Sequence, residues 1–226
     1  MKQLMKEMLR TIEAECKYTY GLTGVLNISP AVMNAIAAVP REKFVPDDMR
    51  PSAYDNGPLP IGCGQTISQP YIVALMTHLL SPGRDDVILE VGAGSGYQAA
   101  ILAKLVHQVY SIEIIPTLAE KAKQRLKKLG YTNVEVIQGD GHSGLEEYAP
   151  FDGIIVTAAA NHIPPHLKEQ LKSGARLIIP VGLPHMYQQL MMVEKDETGR
   201  IFTNNVLAVN FVPLTGGPQR NNRRVT

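Results

Sequence analysis

The chain has 226 residues, of which 45% are hydrophobic, and this length and composition predict one domain with a full hydrophobic core. Its 22 Lys and Arg residues nearly balance 21 Asp and Glu residues, and the resulting formal net charge of +1 argues against a protein that binds nucleic acids through electrostatics. No apolar run approaches the roughly 20 residues of a membrane span, and the N-terminus lacks the apolar core of a signal peptide. The two cysteines, Cys16 and Cys63, give no disulfide framework. We therefore expect a cytoplasmic protein.

The first 80 residues are predicted to form three helices and one long loop. The helices are predicted at 1–16, 31–39 and 71–80, and Ser29, which precedes a proline, is predicted to cap the second of them. Residues 40–70 are rich in proline, glycine and polar residues. Long loops in compact domains are usually functional or disordered. This one keeps several large apolar side chains, so we predict that it is ordered and functional.

The most informative run is residues 87–97, VILEVGAGSGY. It contains β-favouring apolar residues, an acidic residue (Glu90) and three glycines at alternate positions, Gly92, Gly94 and Gly96, and a helical pattern follows at once. A strand, a tight glycine turn and a helix in this order are typical of the first unit of a nucleotide-binding fold. Glycine has no Cβ, so the backbone can turn sharply here and come close to a ligand.

The spacing of these glycines separates two classes of cofactor. A dinucleotide fingerprint needs G-x-G-x-x-G, but Tyr97 occupies the sixth position, so the loop is instead similar to the E-x-G-x-G-x-G loop of S-adenosylmethionine-dependent methyltransferases. Glu90 could then meet the ammonium of the methionine moiety. Glu113 closes the next predicted strand, where an acid can accept hydrogen bonds from both ribose hydroxyls. That feature fits NAD as well, so it supports a nucleoside rather than one cofactor.

The rest of the chain alternates between predicted strands and helices. After the strand at 87–91, further strands are predicted at 109–112, 134–137, 153–157, 176–181, 188–193 and 206–212. Helices are predicted at 97–106, at 117–130 with a capping box of Thr117 and Glu120, and at 165–171. The last two strands have no helix between them, so we expect a hairpin. The pattern predicts an α/β fold with a doubly wound, mostly parallel seven-stranded sheet, a C-terminal antiparallel strand pair and an N-terminal helical extension.

Ligands of such sheets bind beyond the carboxyl ends of the strands. The glycine loop, Glu113, Asp140 and Thr157 all follow predicted strands. We therefore expect these separate segments to converge on one crevice.

Residues 54–77, YDNGPLPIGCGQTISQPYIVALMT, resemble a segment of the protein-L-isoaspartate (D-aspartate) O-methyltransferase family. The resemblance covers roughly residues 30–215 and includes the runs ILEVGAGSGYQAA, YSIEI, GDG, FDGIIVTAAA, LKSGARLIIPVG and FVPLTGG. The GQTISQP run is the specific part, because general methyltransferases have nothing like it before the first core strand. The resemblance implies a Rossmann-like class I methyltransferase fold and a protein repair enzyme. Such an enzyme transfers a methyl group from S-adenosyl-L-methionine to the free α-carboxylate of L-isoaspartyl residues in damaged proteins and peptides, which starts their conversion through a succinimide back to aspartyl residues.

The resemblance also assigns site residues. Ser68 matches the family's active-site serine, whereas Asn210 departs from the family, in which a basic residue is expected before the FVPL run. Glu113 is expected to hold the ribose, and Asp140 with Gly141 to flank the adenine. The full set of expected cofactor contacts is Ile67, Ser68, Glu90, Gly92, Gly94, Gly96, Glu113, Ile114, Asp140, Gly141, Thr157 and Thr215.

The implied reaction needs no general base, because a carboxylate with a pKa near ~4 is already ionised at neutral pH. Ser68 can donate a hydrogen bond that fixes the direction of this carboxylate. A second interpretation is that Ser68 caps the helix that begins near Pro70, and both roles can coexist. A covalent serine nucleophile is not expected, since the sequence places no His or Lys partner beside it.

The whole chain, 1–226, is interpreted as a single methyltransferase domain. Residues 1–80 are expected to carry the N-terminal helices and the substrate and active-site loop, residues 81–215 the core that binds the cofactor, and residues 216–226 a mobile tail. The partners expected are isoaspartyl-containing proteins and peptides, with no nucleic acid and no membrane, and the resemblance implies a monomer. No metal is expected, since two prolines separate His162 from His166 and no third ligand is apparent.

Three alternative functions stay open. The first is a methyltransferase for another acceptor, such as a small molecule or RNA. The second is an NAD-linked oxidoreductase, which Tyr97 at the third glycine position disfavours. The third is a catalytically silent binding protein that retains the fold.

Overall fold

The computed structural model describes residues 2–183 and 186–217. In chain order, the described helices are α1 (Lys2–Thr23), α2 (Pro30–Ala38), α3 (Pro70–Leu80), α4 (Tyr97–Leu102), α5 (Pro116–Lys128) and α6 (Pro165–Glu169), with short 3-10 helices at Arg41–Lys43, Asp47–Ser52 and Glu146–Tyr148. The described strands are β1 (Leu59–Gly62), β2 (Gln65–Ile67), β3 (Val87–Val91), β4 (Gln108–Glu113), β5 (Val134–Gln138), β6 (Phe151–Val156), β7 (Leu171–Val181), β8 (Gln188–Lys195) and β9 (Ile201–Val209).

Within the described residues, seven strands form one sheet in the order β5-β4-β3-β6-β7-β8-β9. Strands β3 to β7 run parallel, β8 is antiparallel to β7, and β9 is antiparallel to β8. The predicted doubly wound, mostly parallel sheet with a terminal hairpin is therefore confirmed. The strand order changes direction between β3 and β6, and a ligand of such a sheet binds beyond the carboxyl ends of the strands at this point.

Helices cover both faces of the sheet. On β3, Ile88 packs into one hydrophobic cluster and the next residue, Leu89, packs into a second cluster on the opposite face. Strands that are buried on both sides read as near-continuous apolar runs, which is why the sequence pattern located them. The first cluster also contains Met8 and Ile12 of α1 and Ile36 of α2. The N-terminal helices therefore share one core with the sheet.

Strands β1 and β2 form a separate hairpin within the segment that was expected to be an ordered loop. The residues at its turn, Cys63 and Gly64, have φ values of 54° and 70°. Positive φ at both central residues is typical of a type I′ hairpin turn. The Cys63 side chain is exposed, and its Sγ lies 3.4 Å from the hydroxyl of Thr117 on α5. The hairpin and the 3-10 helices make residues 40–70 more regular than predicted.

The predicted start of α5 is wrong. The helix begins at Pro116, its N-cap is Ile115 and no side chain caps it, so Thr117 and Glu120 do not form the expected capping box. Proline has a fixed φ and no N–H, and it therefore suits the first helical position, which lies one residue before Thr117. Gly130 follows the helix with a φ of 81°, as expected for a residue that ends one.

Other element ends also differ from the prediction. α1 continues past residue 16 to Thr23, because nothing stops it before Gly24 adopts a φ of 67°. α4 ends at Leu102 rather than at residue 106, and β9 ends at Val209 rather than at residue 212. The predicted mobile tail, 216–226, falls mostly outside the described residues.

Candidate active site

The loop after β3 carries three glycines with positive φ. Gly92, Gly94 and Gly96 have φ values of 98°, 52° and 84°, which residues with a side chain rarely adopt. Gly92 is further constrained, because a Cβ there would lie 2.5 Å from Oγ1 of Thr157. The Thr157 hydroxyl donates a 2.6 Å hydrogen bond to the Gly92 carbonyl. The glycine loop is therefore held tightly against the end of β6.

Glu113, at the end of β4, ties the glycine loop to the start of α5. Its Oε2 accepts a hydrogen bond from the Gly94 amide at 2.8 Å, and its Oε1 accepts one from the Ile115 amide at 2.9 Å. Only 6% of the side chain is exposed, yet each carboxylate oxygen keeps a second lone pair. The carboxylate is thus fixed at a strand end, where an acid that accepts ribose hydroxyls is expected.

Two adjoining cavities lie at these strand ends. The first, of about 50 Å³, is enclosed by the strand ends, the β1–β2 hairpin and residues 212–215, and it is lined by seven of the predicted residues: Gly92, Gly94, Glu113, Ile114, Gly141, Thr157 and Thr215. The second, of about 40 Å³, is lined by Ile67 and Ser68 together with Gly92, Gly94 and Thr157. The structure therefore brings nine of the twelve predicted residues to one crevice.

Asp140 contacts the C-terminal segment (residues 211–217) instead of lining these cavities. Its carboxylate accepts hydrogen bonds from the amides of Gly217 at 2.6 Å and His142 at 2.9 Å. Burial alone would raise the pKa of Asp140, but the hydrogen bonds from these amides outweigh it, and the pKa lies below its usual range. Asp140 is therefore an ionised anchor that holds the C-terminal segment beside the crevice.

Glu90 and Gly96 also lie outside the cavities. Glu90 is fully buried, and the Ser111 hydroxyl donates a hydrogen bond to its Oε2. Burial raises the pKa of Glu90 to about 8, so the carboxyl is mostly neutral at pH 7. The structure thus places Glu90 in the sheet core, where its Oε1 has no hydrogen-bond partner among the described residues, and its contact with a cofactor ammonium stays a prediction. Gly96 packs against α5, where a Cβ would lie 3.1 Å from Cδ1 of Leu126.

Ser68 follows β2 and borders two spaces. It lines the second narrow cavity, and it also lines an open cavity of about 470 Å³ that extends to the end of β9. The N-cap of α3 is Gln69, without a side-chain cap, so the interpretation of Ser68 as a helix cap is wrong. The Ser68 hydroxyl is therefore not committed to the helix.

Arg41 belongs to this site, and the sequence analysis missed it. It is fully buried, its Nη2 donates to the Ser68 carbonyl at 2.8 Å and its Nε donates to the Ala53 carbonyl at 2.8 Å. Its guanidinium lies 4.9 Å from the centre of the Tyr97 ring. Burial lowers its pKa, and no carboxylate of the described residues forms an ion pair with it.

One signal in the sequence could have found Arg41. It lies in a proline- and glycine-rich loop whose buried carbonyls need hydrogen-bond donors that no long strand supplies. Arginine offers five such donors in a fixed geometry. An arginine in such a loop is therefore a candidate for holding the loop together.

Comparison with known proteins decides the family. The family model described as protein-L-isoaspartate(D-aspartate) O-methyltransferase (PCMT) matches residues 22–219. The chain belongs to this family.

Curated members of the protein-L-isoaspartate O-methyltransferase family resemble the chain over most of its length. The protein-L-isoaspartate O-methyltransferase 2 of Syntrophobacter fumaroxidans is 61% identical over 211 residues, which cover 93% of this chain and 85% of the relative. That of Nitrosococcus oceani is 57% identical and covers 93% of this chain and 96% of the relative. The expected family membership is confirmed.

Solved structures of the family share the fold. A protein-L-isoaspartate O-methyltransferase with 27% identity superimposes with a TM-score of 0.81 and covers 94% of this chain and 66% of that one. A putative member from Plasmodium falciparum, solved in complex with S-adenosyl-L-homocysteine, has 25% identity and a TM-score of 0.76, and it covers 95% of this chain and 97% of that one.

The described part of the chain offers neither a cluster of metal ligands nor a membrane-spanning helix. In residues 2–183 and 186–217, no group of three or more His, Cys, Asp or Glu side chains is placed to hold a metal ion. His166, one of the two histidines considered above, has its Nδ1 3.2 Å from a carboxylate oxygen of Glu169. No helix in the described part of the chain is both long and apolar enough to cross a membrane.

Proposed function

We propose that the protein is a repair methyltransferase that transfers a methyl group from S-adenosyl-L-methionine to the free α-carboxylate of L-isoaspartyl residues in damaged proteins and peptides. The ester starts their conversion, through a succinimide, back to aspartyl residues. Family membership and 61% identity to a protein named for this activity support the proposal. The observation that carries it is the position of Ser68, which borders both the narrow crevice at the glycine loop and an open cavity beside β9.

The strand ends fit a cofactor that contains a nucleoside. A Cβ at Gly92 or Gly141 would collide with Thr157 at 2.5 Å or with Val91 at 2.2 Å, so glycine at these positions lets the segments that line the crevice pack closely together. Glu113 presents a buried carboxylate for hydroxyl groups. We therefore assign S-adenosyl-L-methionine to Gly92, Gly94, Glu113 and the other lining residues named above. When bound, this cofactor supplies an electrophilic methyl group on a sulfonium.

The acceptor carboxylate needs no base in the protein. Its pKa near ~4 leaves it ionised at neutral pH. The two cavities that Ser68 borders have no carboxylate, histidine or lysine among their described lining side chains, which fits a reaction without proton abstraction. The opposite charges of donor and acceptor cancel as the ester forms, so exclusion of water from the reacting groups favours the step.

Alignment of the acceptor is the main task of the protein's own residues. The Ser68 hydroxyl donates a hydrogen bond to the carboxylate and fixes its direction. Arg41 holds the Ser68 carbonyl, and thereby the backbone that carries this hydroxyl. Orientation of reacting groups can contribute as much as ~7–11 kcal/mol to the lowering of a barrier.

The peptide around the isoaspartyl residue is assigned to the open cavity. Its wall includes residues 208–212 at the end of β9, which is the edge strand of the sheet. An edge strand offers unpaired backbone groups that can pair with an extended peptide. Asn210, which stands where the family is expected to have a basic residue, lies in this wall. Peptide binding here therefore depends on the backbone more than on a charge at residue 210.

The remaining assignments belong to the same proposal. We assign the protein to the cytoplasm, because its two cysteines are both free. We further propose a monomer without a nucleic-acid partner. Its single methyltransferase domain has the substrate and active-site loop within residues 1–80 and the cofactor-binding core within residues 81–215.

Methyl transfer to a matched pair of peptides tests the function. A peptide with one isoaspartyl residue and its normal aspartyl twin are incubated with the protein and S-adenosyl-L-methionine labelled on the methyl group. We expect ester formation on the isoaspartyl peptide alone, and calorimetric binding of S-adenosyl-L-homocysteine but not of NAD. Equal methylation of both peptides, or transfer only to RNA or a small molecule, contradicts the proposed substrate.

A further inference from the structure

A wide groove shares no lining residue with the open cavity that Ser68 shares with β9. Its volume is about 610 Å³, and it runs between α5 and the segment 43–50, with Gly94 and Ser95 of the glycine loop at one end. None of its lining residues belongs to β9 or to the C-terminal segment. The reaction described above does not use this groove.

The charge of the groove is one-sided. Its described lining contains five cationic side chains and no carboxylate, in a chain whose net charge is only +1; the cations are Lys43, Arg50, Lys121, Arg125 and Lys128. Arg50 forms an exposed ion pair with Asp47, of a kind that contributes little stability. The three lysines form no ion pair with any described residue. A concentration of positive charge in a concave surface attracts an anionic partner.

Three of the cations form a stripe along α5. Lys121, Arg125 and Lys128 are spaced four and three residues apart, so they lie on one face of the helix, where like charges repel each other. Arg125 is half-buried, and its Nη1 donates to the Ser95 carbonyl at 2.7 Å, a neutral acceptor. Burial lowers the pKa of Arg125. A carboxylate in the groove would reduce the repulsion between the cations of α5. Its attraction would also offset the free-energy cost of keeping the charged Arg125 partly out of water.

The lining favours a peptide over a nucleic acid. The groove offers little apolar surface, because Ile61 and Leu118 in its lining are buried and Leu129 is half-buried. The aromatic side chain in the lining, Phe44, is fully buried, so it offers no surface on which a base could stack. The exposed part of the lining is therefore mainly cationic, which suits a peptide that presents carboxylates.

We propose that this groove binds an acidic segment of the protein substrate, an inference that rests on the proposed function. The occupant belongs to the substrate because Gly94 and Ser95 line both the groove and the crevice at Ser68. The β1–β2 hairpin stands between the two sites, since Ile61 lies against Gly94. The acidic segment is therefore separated from the isoaspartyl residue by a spacer and acts as a second point of attachment.

Matched isoaspartyl peptides test the groove. Each carries a Gly/Ser spacer of graded length followed by either six glutamates or six glutamines. At low salt we expect kcat/KM of the glutamate peptide to exceed that of the glutamine peptide by about tenfold at the best spacer length, through a lower KM, since several charge pairs act together. We expect added salt to reduce this ratio, because it screens exposed charges.

Two variants of α5 locate the effect. Lys121→Glu/Lys128→Glu reverses charge inside the groove, and the ratio should fall to about one or below. Lys123→Glu/Lys127→Glu makes the same change in net charge on exposed residues of the same helix that do not line the groove. This control should keep most of the ratio, and the glutamine peptide provides the reference rate within each variant.

The outcomes separate the two proposals. Equal kcat/KM for the two peptides, with both methylated, overturns the groove but leaves the proposed function standing. Equal loss of the ratio in both variants also overturns it, because a general effect of net charge then explains the preference. Tight binding of an RNA oligonucleotide that Lys121→Glu/Lys128→Glu abolishes and the glutamate peptide does not displace assigns the groove to nucleic acid. Failure to methylate either peptide overturns the proposed function itself.

Discussion

Nη2 of Arg41 donates a 2.8 Å hydrogen bond to the backbone carbonyl of Ser68, the residue that borders both the crevice and the open cavity. The same guanidinium lies over the ring of Tyr97, the first residue of the helix after the glycine loop. One buried cation thus connects the segment that carries Ser68 with the start of the helix that follows the glycine loop. Their relative position depends on a side chain with no exposure to the crevice.

Replacing Arg41 by methionine is expected to impair binding of the acceptor and to lower stability. The change leaves the carbonyls of Ser68 and Ala53 without donors, at a cost of about 1–3 kcal/mol for each buried group. Urea unfolding should show the loss of stability. In the folded variant, KM for an isoaspartyl peptide should rise by a larger factor than Kd for S-adenosyl-L-homocysteine. Arg84→Met, at an exposed residue that lines neither the cavities nor the cationic groove, serves as the control and should cost at most about 0.5 kcal/mol. A wild-type peptide KM in Arg41→Met excludes the positioning role.

Ser68→Ala is expected to reduce kcat/KM for the isoaspartyl peptide by about 10- to 100-fold. Hydrogen bonds to charged groups contribute about 1.5–3 kcal/mol, and the variant removes the donor that directs the carboxylate. Kd for S-adenosyl-L-homocysteine, measured by calorimetry, should change little. Ser143→Ala, at an exposed serine outside the crevice, should behave like the wild type. Unchanged turnover in Ser68→Ala would remove this role from the serine.

Gly92→Ala is expected to weaken binding of S-adenosyl-L-homocysteine by at least about tenfold. The new Cβ would lie 2.5 Å from Oγ1 of Thr157, and a φ of 98° strains any residue with a side chain. Adding Thr157→Ala removes the collision but not the strain, so the double variant should recover only part of the affinity. Gly57→Ala, where the added Cβ meets nothing within 4 Å, is the matched control. Calorimetry measures Kd for S-adenosyl-L-homocysteine in all three variants. A wild-type Kd in Gly92→Ala contradicts the prediction that binding requires glycine at this position.

Glu90 should make stability decrease as the pH rises. Burial raises its pKa from 4.5 to about 8, so between these values the folded protein holds a proton that the unfolded chain has released. The stabilisation is fully present below the unfolded pKa and is lost as the pH rises through the folded pKa. Glu90→Gln keeps the shape but does not titrate. The free energy of urea unfolding of the wild type should therefore fall relative to Glu90→Gln between about pH 5 and pH 8. Glu120→Gln, at an exposed glutamate, should not reproduce this difference, and parallel profiles for wild type and Glu90→Gln count against a neutral Glu90.

Cofactor binding should protect the two segments that enclose the first narrow cavity. That cavity measures about 50 Å³, below the about 300–1,000 Å³ typical of ligand sites, so we expect the hairpin and the C-terminal segment to move apart when a ligand enters. Hydrogen exchange should slow in residues 59–67 and 211–217 when S-adenosyl-L-homocysteine is added. Asp140→Ala removes the acceptor for the Gly217 amide and should speed exchange in 211–217 before ligand is added. If the rate of hydrogen exchange in both segments is the same with and without ligand, the result argues against this entry route.

The sequence predicted those parts of the fold whose conformation is determined by residues that are close together in the chain. The strands were visible because burial on both faces demands uninterrupted apolar residues, as in β3. The glycine loop was visible because positive φ is a requirement of single residues, and Glu113 was placed because a strand end has a fixed direction. The start of the helix predicted at 117–130 was misplaced by one residue, since Pro116 takes the first helical position.

The parts that were missed depend on contacts between distant segments. Arg41 donates hydrogen bonds to the carbonyls of Ala53 and Ser68. The residues next to Arg41 in the sequence do not indicate these distant partners. Glu90 was expected to meet the cofactor, and the hydrogen bond that it accepts from Ser111 on the neighbouring strand was not predicted. The cationic groove combines lysines of α5 with Lys43 from a distant segment. The net charge of the chain, +1, does not reveal such a local concentration of positive charge.

The turn of the β1–β2 hairpin has a practical consequence for measurement. Of the chain's two thiols, Cys16 is buried in the core and Cys63 is exposed at the tip of the hairpin that covers the glycine loop. A maleimide dye added to the native protein will therefore label one known place without any engineered residue. Its fluorescence then reports directly whether the hairpin moves when S-adenosyl-L-homocysteine is added.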